Sequence, residues 1–189
     1  MITLILGGAR SGKSTFAERL ARLESDKPVA YVATAEAGDD EMASRIEIHR
    51  AGRPAGWRTW EGDPADIPAL VSSSEGVLLL DCLTMYLSRA FFSRSASEHG
   101  DEDEWTRAEE KILTDVSAIF DACPASTHLI VVSNELGWGV VPATRLSRRF
   151  RDMQGRANRL AGGRAENVAL VVAGIPLWIK GGIDVPDVA

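Results

Sequence analysis

Five short apolar runs divide the chain. They are continuous rather than alternating, and they lie at residues 2–6, 29–33, 77–81, 128–133 and 167–174. Continuous apolar runs of this length are typical of strands that are buried on both faces, as in a parallel sheet. The sequence therefore predicts five central strands.

Helical patterns separate several of these runs. Residues 13–24, 105–122 and 143–161 place apolar side chains three, four or seven positions apart, as one face of a helix requires. Strands that alternate with helices predict an α/β fold, a three-layer sandwich with a mostly parallel sheet between helices. After the last run, Gly-Ile-Pro and a further apolar stretch to residue 180 predict a tight turn and a C-terminal antiparallel edge hairpin. We expect residues 1–189 to form a single domain.

Polar composition marks three further stretches. The acidic stretch 93–104 predicts a mobile loop that exposes His99, and residues 181–189 predict a loose tail. The predicted helix 143–161 is strongly basic, which favours a solvated face or a contact between subunits over a substrate site. Its arginines include Arg145, Arg148, Arg149, Arg156 and Arg159.

The composition is that of an ordinary globular protein, with 45% hydrophobic and 25% charged residues. A formal net charge of -6 argues against nucleic acid or an anionic membrane as the main partner, because the overall field repels both. The two cysteines, Cys82 and Cys123, form no metal-ligand pattern and no disulfide framework, and Cys82 closes an apolar run, which predicts a core position. No apolar run approaches the ~20 residues that span a membrane, and the start MITLILGG lacks the basic residues of a signal peptide. We therefore expect a cytoplasmic protein without membrane insertion.

The first apolar run leads directly into GGARSGKS, residues 7–14, and then into a predicted helix. This spacing of two glycines, a lysine and a serine is the P-loop pattern for binding phosphates. The glycines let several backbone N–H groups point at one centre, the helix N-terminus adds partial positive charge, and the lysine neutralises the outer phosphates. The predicted phosphate-binding residues are Gly7, Gly8, Ala9, Arg10, Ser11, Gly12, Lys13 and Ser14. The motif predicts a nucleoside triphosphate as substrate.

Polar residues at the ends of other predicted strands complete a candidate site. Asp81 ends the third apolar run and is, with Ser14, a candidate ligand of a magnesium ion. Thr34 follows the second run, and Asn134-Glu135 follows the fourth. We expect all of them at one edge of the sheet, because ligands bind at the carboxyl ends of parallel strands.

The stretch RIEIHRAGRP, residues 45–54, places one histidine between arginines. An Asp-Asp pair before it can begin a helix and Gly52 can end it, so that Arg45 and His49 lie one turn apart on one face. An imidazole with a pKa near 6.5 is largely unprotonated at neutral pH and can attack phosphorus, while nearby arginines hold the phosphates. From spacing alone, a surface or packing role for His49 is the commoner outcome.

Longer segments along almost the whole chain carry a family resemblance. They are GGARSGKS (7–14), YVATAEAGDDEMASRIEIHRAGRPAGWRTWE (31–61), LLLDCLT (78–84), VVSNELGWGVVP (131–142), FRDMQGRANRLA (150–161) and LVVAGIPLWIK (170–180). Together they resemble the bifunctional adenosylcobinamide kinase/adenosylcobinamide-phosphate guanylyltransferase family of cobalamin synthesis. The second segment is the most specific, because other P-loop kinases do not carry it.

The resemblance implies two successive reactions. The first phosphorylates the aminopropanol hydroxyl of adenosylcobinamide with a nucleoside triphosphate. The second transfers GMP from GTP to adenosylcobinamide phosphate and releases pyrophosphate. In this family the GMP is carried on a histidine, and His49 occupies the matching position.

The resemblance also implies the site residues. His49 and Lys13 are the candidate catalytic residues, and Trp57 is expected to pack rather than to stack on a base. The further nucleotide-binding residues are Thr34, Arg45, Arg50, Arg53, Glu61 and Asp81. Magnesium is the implied cofactor, GTP and ATP are the implied nucleotides, and family members are trimers, which implies a homotrimer here. Ile48 stands where some relatives carry a second histidine, and Asp81 stands where some carry glutamate.

Two other functions fit parts of the sequence. One is a P-loop kinase of another small metabolite, in which His49 is incidental, and the other is a nucleotide-dependent switch or assembly protein. Neither explains the segment 39–61. The choice of ATP or GTP in the kinase step, one shared or two separate nucleotide sites, and the position of the corrinoid pocket are left open by the sequence.

Overall fold

Seven strands form the central sheet in the described part of the chain. In the computed structural model the described residues are 1–24, 26–35, 40, 44, 47, 50–94 and 101–186, with the side chains of 93 and 94 left aside. The strands are β1 (Ile2–Gly7), β2 (Val29–Ala33), β3 (Arg58–Trp60), β4 (Gly76–Asp81), β5 (Thr127–Asn134), β6 (Asn167–Val172) and β7 (Ile175–Lys180). Their order across the sheet is β3-β2-β4-β5-β1-β6-β7.

The direction of the strands confirms the predicted sheet. All neighbouring pairs from β3 to β6 are parallel, and β7 returns antiparallel to β6. The turn between them lies one step earlier than Gly-Ile-Pro: Ala173 and Gly174 take positive φ angles of 51° and 81°, and Ile175 already belongs to β7. Because a glycine adopts positive φ without strain, the reversal falls at Gly174.

Among the elements whose residues are all described, five helices lie on the two faces of the sheet. They are α1 (Lys13–Leu23), α2 (Ile67–Ser72), α3 (Leu83–Arg94), α4 (Glu102–Asp121) and α5 (Arg145–Arg164), and a 3-10 turn, Pro64–Asp66, precedes α2. One apolar cluster joins α1 to one face of the sheet, and a second joins α2, α3, α4 and α5 to the other. The predicted three layers are therefore confirmed.

Three elements were absent from the sequence prediction. Strand β3 has three residues and α2 has six, which is too short for either periodicity to be recognised. Helix α3 is longer, but its first turns are buried on almost every side, so it has no polar stripe to reveal a helical period.

The acidic stretch before α4 is partly helix, which corrects the predicted loop 93–104. Helix α3 continues to Arg94, and α4 begins at Glu102, where the side chain of Asp101 accepts a 2.8 Å hydrogen bond from the N–H of Glu104. Acidic residues favour a helix N-terminus because of the helix dipole, so a cluster of them starts the helix. His99 lies outside the described residues.

The C-terminal segment packs against the body as far as residue 186, which corrects the predicted loose tail. It has no regular secondary structure, yet Ile183 and Val185 contact the cluster around α1. Arg19 Nη2 donates a 2.8 Å hydrogen bond to the carbonyl of Pro186. Cys82 is buried in the core, as predicted, and Trp57 packs against the same cluster.

No helix in the described part of the chain is both long and apolar enough to cross a membrane.

Candidate active site

The loop between β1 and α1 needs glycine at two positions. Gly12 has a φ of 92°, and a Cβ there would lie 3.0 Å from the Cα of Gly174. A Cβ at Gly7 would lie 2.4 Å from Ser11 Oγ and 2.8 Å from the carbonyl of Val171. The two glycines of the motif therefore let the loop close tightly against the end of β6 and the turn after it.

Residues that follow β5 and β6 hold this loop from both sides. The N–H of Gly174 donates a 2.8 Å hydrogen bond to the carbonyl of Ser11, and the N–H of Glu135 donates a 3.1 Å bond to the carbonyl of Gly7. The N-cap of α1 is Gly12, which has no side chain to accept from the first N–H groups of the helix. Those N–H groups form an anion-binding position at the edge of the sheet.

Lys13 lies across the loop. Its ammonium group donates a 3.1 Å hydrogen bond to the carbonyl of Gly8. Burial lowers the pKa of Lys13, and the neighbouring Cys82 and Asp81 partly offset this effect. The structure thus brings Lys13 and Asp81 together beside the loop, as the sequence predicted.

One of the two carboxylate oxygens of Asp81 accepts a hydrogen bond. Tyr31, in the neighbouring strand β2, donates a 2.7 Å hydrogen bond from its hydroxyl to Asp81 Oδ2. Burial and the adjacent Asp81 raise the pKa of Tyr31, so the phenol keeps its proton and acts as a donor. No described residue binds the other oxygen, Oδ1, in the structure.

Thr34 fixes the backbone that follows Asp81. Its hydroxyl donates a 2.7 Å hydrogen bond to the carbonyl of Cys82 and accepts a 2.8 Å bond from the N–H of Cys82. The side chain is 1% exposed. Thr34 therefore lies at the predicted edge, but its hydroxyl is engaged by the protein itself, and it supports Asp81 through the backbone.

The histidine segment is described only in part. Asp40, Ser44, Glu47, Arg50 and Ala51 are helical, and the helix ends before Gly52, as predicted. His49 and Arg45 lie outside the described residues, so their roles stay predictions.

Three residues of the same segment that were predicted to bind nucleotide make contacts with other side chains. Arg50 Nη2 forms a 2.5 Å ion pair with Glu61 Oε1 at the surface, and Glu61 raises the pKa of Arg50. The guanidinium of Arg53 lies 3.8 Å from the ring centroid of Tyr31, and its Nη1 donates a 3.3 Å hydrogen bond to Thr59 Oγ1. Tyr31 thereby links Arg53 to Asp81.

A buried amide network lies beneath Asn134 and Glu135. The hydroxyl of Ser133 donates a 2.7 Å bond to Asn158 Oδ1, and Gln154 Nε2 donates a 2.9 Å bond to the same atom. Asn158 Nδ2 donates a 3.0 Å bond to the carbonyl of Asn134. This network fixes the end of β5 beside the phosphate loop.

Sequence reasoning missed this network and Tyr31. Gln154 and Asn158 are polar residues on the inward face of α5, and Tyr31 has the only polar side chain in the apolar run of β2. Buried polar groups need partners, so such positions are the available signal. They become informative only when the neighbouring strands and helix faces are known.

Most of the basic residues on α5 contact the protein rather than solvent alone. Arg149 Nη1 lies 2.6 Å and Arg156 Nη1 lies 3.1 Å from the carboxylate of Glu109, which is 3% exposed. Arg145 and Arg149 also pair with Glu102. Arg148 donates hydrogen bonds to the carbonyls of Pro142 and Ala143. Arg145, Arg156 and Arg159 are exposed, as predicted for a solvated face, and the ion pairs with α4 are a contact that the sequence did not predict.

A strand, a glycine-rich loop with lysine, a helix and an acidic strand end define a P-loop nucleotide-binding protein. Solved structures of the same fold include a prototypical ATPase from the type III secretion system of pathogenic bacteria, with a TM-score of 0.57 and 12% identity over 89% of this chain and 50% of that one. Another is the ATP synthase subunit NeqB from Nanoarcheaum equitans, with a TM-score of 0.54 and 14% identity over 89% of this chain and 46% of that one. The chain spans about half the length of these two proteins, and the likeness shows the fold.

The sequence places the protein within this class. A sequence model of the cobinamide kinase / cobinamide phosphate guanyltransferase family matches residues 3–179. The chain belongs to this family, and it is therefore an enzyme.

Curated relatives match almost the whole chain. The bifunctional adenosylcobalamin biosynthesis protein CobP of Pseudomonas aeruginosa is 44% identical over 183 residues, which cover 96% of this chain and 98% of the relative. The bifunctional adenosylcobalamin biosynthesis protein CobU of Escherichia coli is 40% identical over 184 residues, which cover 95% of this chain and 100% of the relative. The CobU protein of Salmonella typhimurium is 38% identical over 185 residues.

Proposed function

We propose that this enzyme catalyses both reactions of its family, the phosphorylation of adenosylcobinamide and the transfer of GMP from GTP to adenosylcobinamide phosphate. The observation that carries the proposal is the closed phosphate loop, with Lys13 and Asp81 beside it, in a chain that the family matches over residues 3–179. The protein thus acts in adenosylcobalamin biosynthesis.

In the kinase step, the loop holds the phosphates of the nucleoside triphosphate. The backbone N–H groups at the start of α1 and the ammonium of Lys13 face the negative charge that moves to the leaving group. The hydroxyl oxygen of the acceptor attacks the γ-phosphorus, the bond from this phosphorus to the β–γ bridging oxygen breaks, the nucleoside diphosphate departs, and the hydroxyl proton passes to solvent. Lys13 exchanges its bond to the Gly8 carbonyl for the phosphates, which favour its charged form.

The oxygen donors beside the loop fit a magnesium ion. Ser14 lies in the first turn of α1, and Asp81 keeps the oxygen Oδ1 free of bonds to described residues. A hydroxyl and a carboxylate are ligands that Mg²⁺ accepts. When bound, the ion neutralises charge on the phosphates.

In the transfer step, we assign the nucleophile to His49. Its unprotonated imidazole nitrogen attacks the α-phosphorus of GTP, an N–P bond forms, and pyrophosphate leaves. The phosphate of the acceptor then attacks the same phosphorus, the N–P bond breaks, and His49 is regenerated with adenosylcobinamide-GDP as product. Arg45, Arg50 and Arg53 flank this residue in sequence and supply positive charge for the phosphates.

We also propose the domain organisation, the location and the oligomeric state of the protein. Residues 1–189 act as one nucleotide-binding domain, in the cytoplasm, as a homotrimer and without a nucleic acid partner. The support is the match of the family along the chain and the acidic composition, with a net charge of -6.

The test uses GTP radiolabelled at the α-phosphorus. Purified enzyme is incubated with this GTP and magnesium, denatured and separated from free nucleotide. We expect label on the chain, in an acid-labile and alkali-stable bond that maps to the peptide containing His49. An enzyme that binds GTP and phosphorylates adenosylcobinamide but takes up no label would be a P-loop kinase without the proposed transfer.

A further inference from the structure

Tyr31 is buried at the centre of the candidate site and belongs to none of its sequence motifs. Its side chain is 2% exposed. In the pairing of β2 with β4, Tyr31 lies opposite Leu79 and Ala33 lies opposite Asp81. Tyr31 and Asp81 are therefore diagonal neighbours on one face of the sheet, a distance that a long aromatic side chain can bridge.

Two contacts give the Tyr31 side chain a single position. Its hydroxyl donates a 2.7 Å hydrogen bond to Asp81 Oδ2, and its ring lies 3.8 Å from the guanidinium of Arg53. Arg53 in turn donates to Thr59 Oγ1 in the neighbouring strand β3. Arg53, which follows the candidate nucleophile in the sequence, therefore holds the ring in place. The hydroxyl binds Asp81, the candidate magnesium ligand.

We propose that Tyr31 is the positioning residue of Asp81: it holds one carboxylate oxygen so that the other faces the phosphate loop and the bound cation. This inference rests on the proposed function, because it assumes that Asp81 serves the nucleotide-bound cation. In this proposal Tyr31 acts through Asp81 and not by direct contact with the nucleotide.

Without a partner, the carboxylate of Asp81 would not be held in one orientation. A carboxylate with two rotatable bonds and no partner samples several orientations, and only some of them reach the cation. Thr34 fixes the backbone of the adjoining residue, Cys82, but it does not touch the carboxylate. Among the described residues, Tyr31 is the one whose side chain binds the carboxylate of Asp81.

The substitution Tyr31→Phe removes the hydroxyl and keeps the ring, its packing and its contact with Arg53. Binding is measured by calorimetry with GMPCPP, a GTP analogue whose methylene bridge between the α- and β-phosphorus prevents transfer to His49. Each protein is titrated once in excess MgCl2 and once in EDTA. The ratio of the two affinities reports the contribution of the cation alone.

We expect Tyr31→Phe to reduce this ratio about tenfold or more, as loss of a residue that orients a metal ligand does, and to leave the affinity in EDTA unchanged. Asp81→Asn should reduce the ratio further, and the double variant should equal Asp81→Asn, because Tyr31 acts only through Asp81. Tyr86→Phe is the matched control, a buried tyrosine that lines a separate cavity of about 810 Å³ between the 3-10 turn, α3 and α4, and it should behave as wild type.

Three results would contradict the inference, and the measurements distinguish them. A wild-type ratio in Tyr31→Phe together with a reduced ratio in Asp81→Asn would leave the metal site intact and make Tyr31 a packing residue. A wild-type ratio in both variants would remove Asp81 from the metal site and the inference with it. An equal loss of affinity in MgCl2 and EDTA would also overturn the inference, because it would show general damage to the nucleotide site.

Discussion

The N–H of Gly174 donates a 2.8 Å hydrogen bond to the carbonyl of Ser11, so the turn between β6 and β7 supports the phosphate loop directly. The same turn brings the Cα of Gly174 within 3.0 Å of a Cβ built on Gly12. The antiparallel hairpin β6–β7 therefore borders the candidate nucleotide site.

The substitution Gly12→Ala tests this contact. It places a residue with a Cβ at a backbone φ of 92°, and this Cβ lies against the turn. Strain of this kind amounts to about 1–3 kcal/mol. We expect the affinity for GMPCPP to fall at least ~10-fold, and urea unfolding to show a lower free energy of unfolding by about the same 1–3 kcal/mol.

Gly155→Ala is the matched control. Gly155 lies within α5, and a Cβ there would meet nothing within 4 Å. Alanine should leave nucleotide affinity unchanged and raise the free energy of unfolding by up to about 1 kcal/mol, because it is the better helix former. If Gly12→Ala behaved like Gly155→Ala, the contact with the turn would have no role in binding.

Substitutions of the two candidate catalytic residues should have different effects on the rates of the two reactions. We propose that the loop holding Lys13 binds the nucleotide in both steps, so Lys13→Ala should lower the rates of the kinase and transfer steps by about 10²–10³-fold, as loss of one electrostatic contact to the reacting group does. His49→Ala should abolish transfer and covalent labelling while sparing much of the kinase step. Each rate is measured separately, the first with adenosylcobinamide and the second with adenosylcobinamide phosphate as acceptor. Production of adenosylcobinamide-GDP at the normal rate by His49→Ala would disprove the covalent mechanism.

The sequence predicted the sheet because buried parallel strands leave continuous apolar runs, as in VLLLD of β4 and HLIVVS of β5. It predicted the phosphate loop because backbone geometry restricts Gly7 and Gly12 to glycine. The apolar runs do not show the order of the strands in the sheet. Nothing in the run VAYVA shows that β2 lies beside β4 until the sheet is assembled.

This difference explains why Asp81 was found and Tyr31 was not. Asp81 is marked by its position at the end of an apolar run, whereas Tyr31 acquires meaning only through its cross-strand neighbour. The ion pairs of the α5 arginines were missed for the same reason. Glu109, their partner on α4, is 3% exposed, and a buried carboxylate within an acidic helix leaves no local signal.

The buried carboxylate of Glu109 predicts unequal effects for its two arginines. Arg149 has a side chain that is 16% exposed, so Arg149→Ala removes a desolvated partner and should cost about 3 kcal/mol, the lower end of the range for a broken buried pair, since Arg156 remains. The side chain of Arg156 is 54% exposed, and Arg156→Ala should cost less than ~1 kcal/mol. Urea unfolding of both variants at neutral pH measures the difference. Equal losses would mean that burial of the pair has no part in its strength.

His128 predicts the response of stability to acid. It is 3% exposed, its Nδ1 contacts Glu24, and its Nε2 lies 2.8 Å from the hydroxyl of Thr3. Burial lowers the pKa of His128 despite the adjacent Glu24. For Glu24, burial acts in the opposite sense, but the bonds from Lys27 and His128 prevail and hold its pKa below the usual range.

Both shifts weaken the folded state on acidification. Below the unfolded pKa of histidine, about 6.5, the unfolded chain takes up a proton at this position and the folded chain does not. The free energy of unfolding should therefore be unaffected by His128 above pH ~7 and fall as the pH drops from 6.5 towards the lower pKa of the folded state. The contribution of Glu24 is lost at lower pH, through its own depressed pKa.

Urea unfolding between pH 7.5 and pH 5.5 measures this slope in wild type and in His128→Asn. Asparagine keeps a donor near the position of Nδ1 but does not titrate, so the variant should be less stable at neutral pH and lose less stability on acidification. The slope of the free energy of unfolding against pH isolates the proton from the loss of packing, because packing acts equally at every pH. Identical slopes in the two proteins would show that His128 takes up its proton equally in the folded and unfolded states.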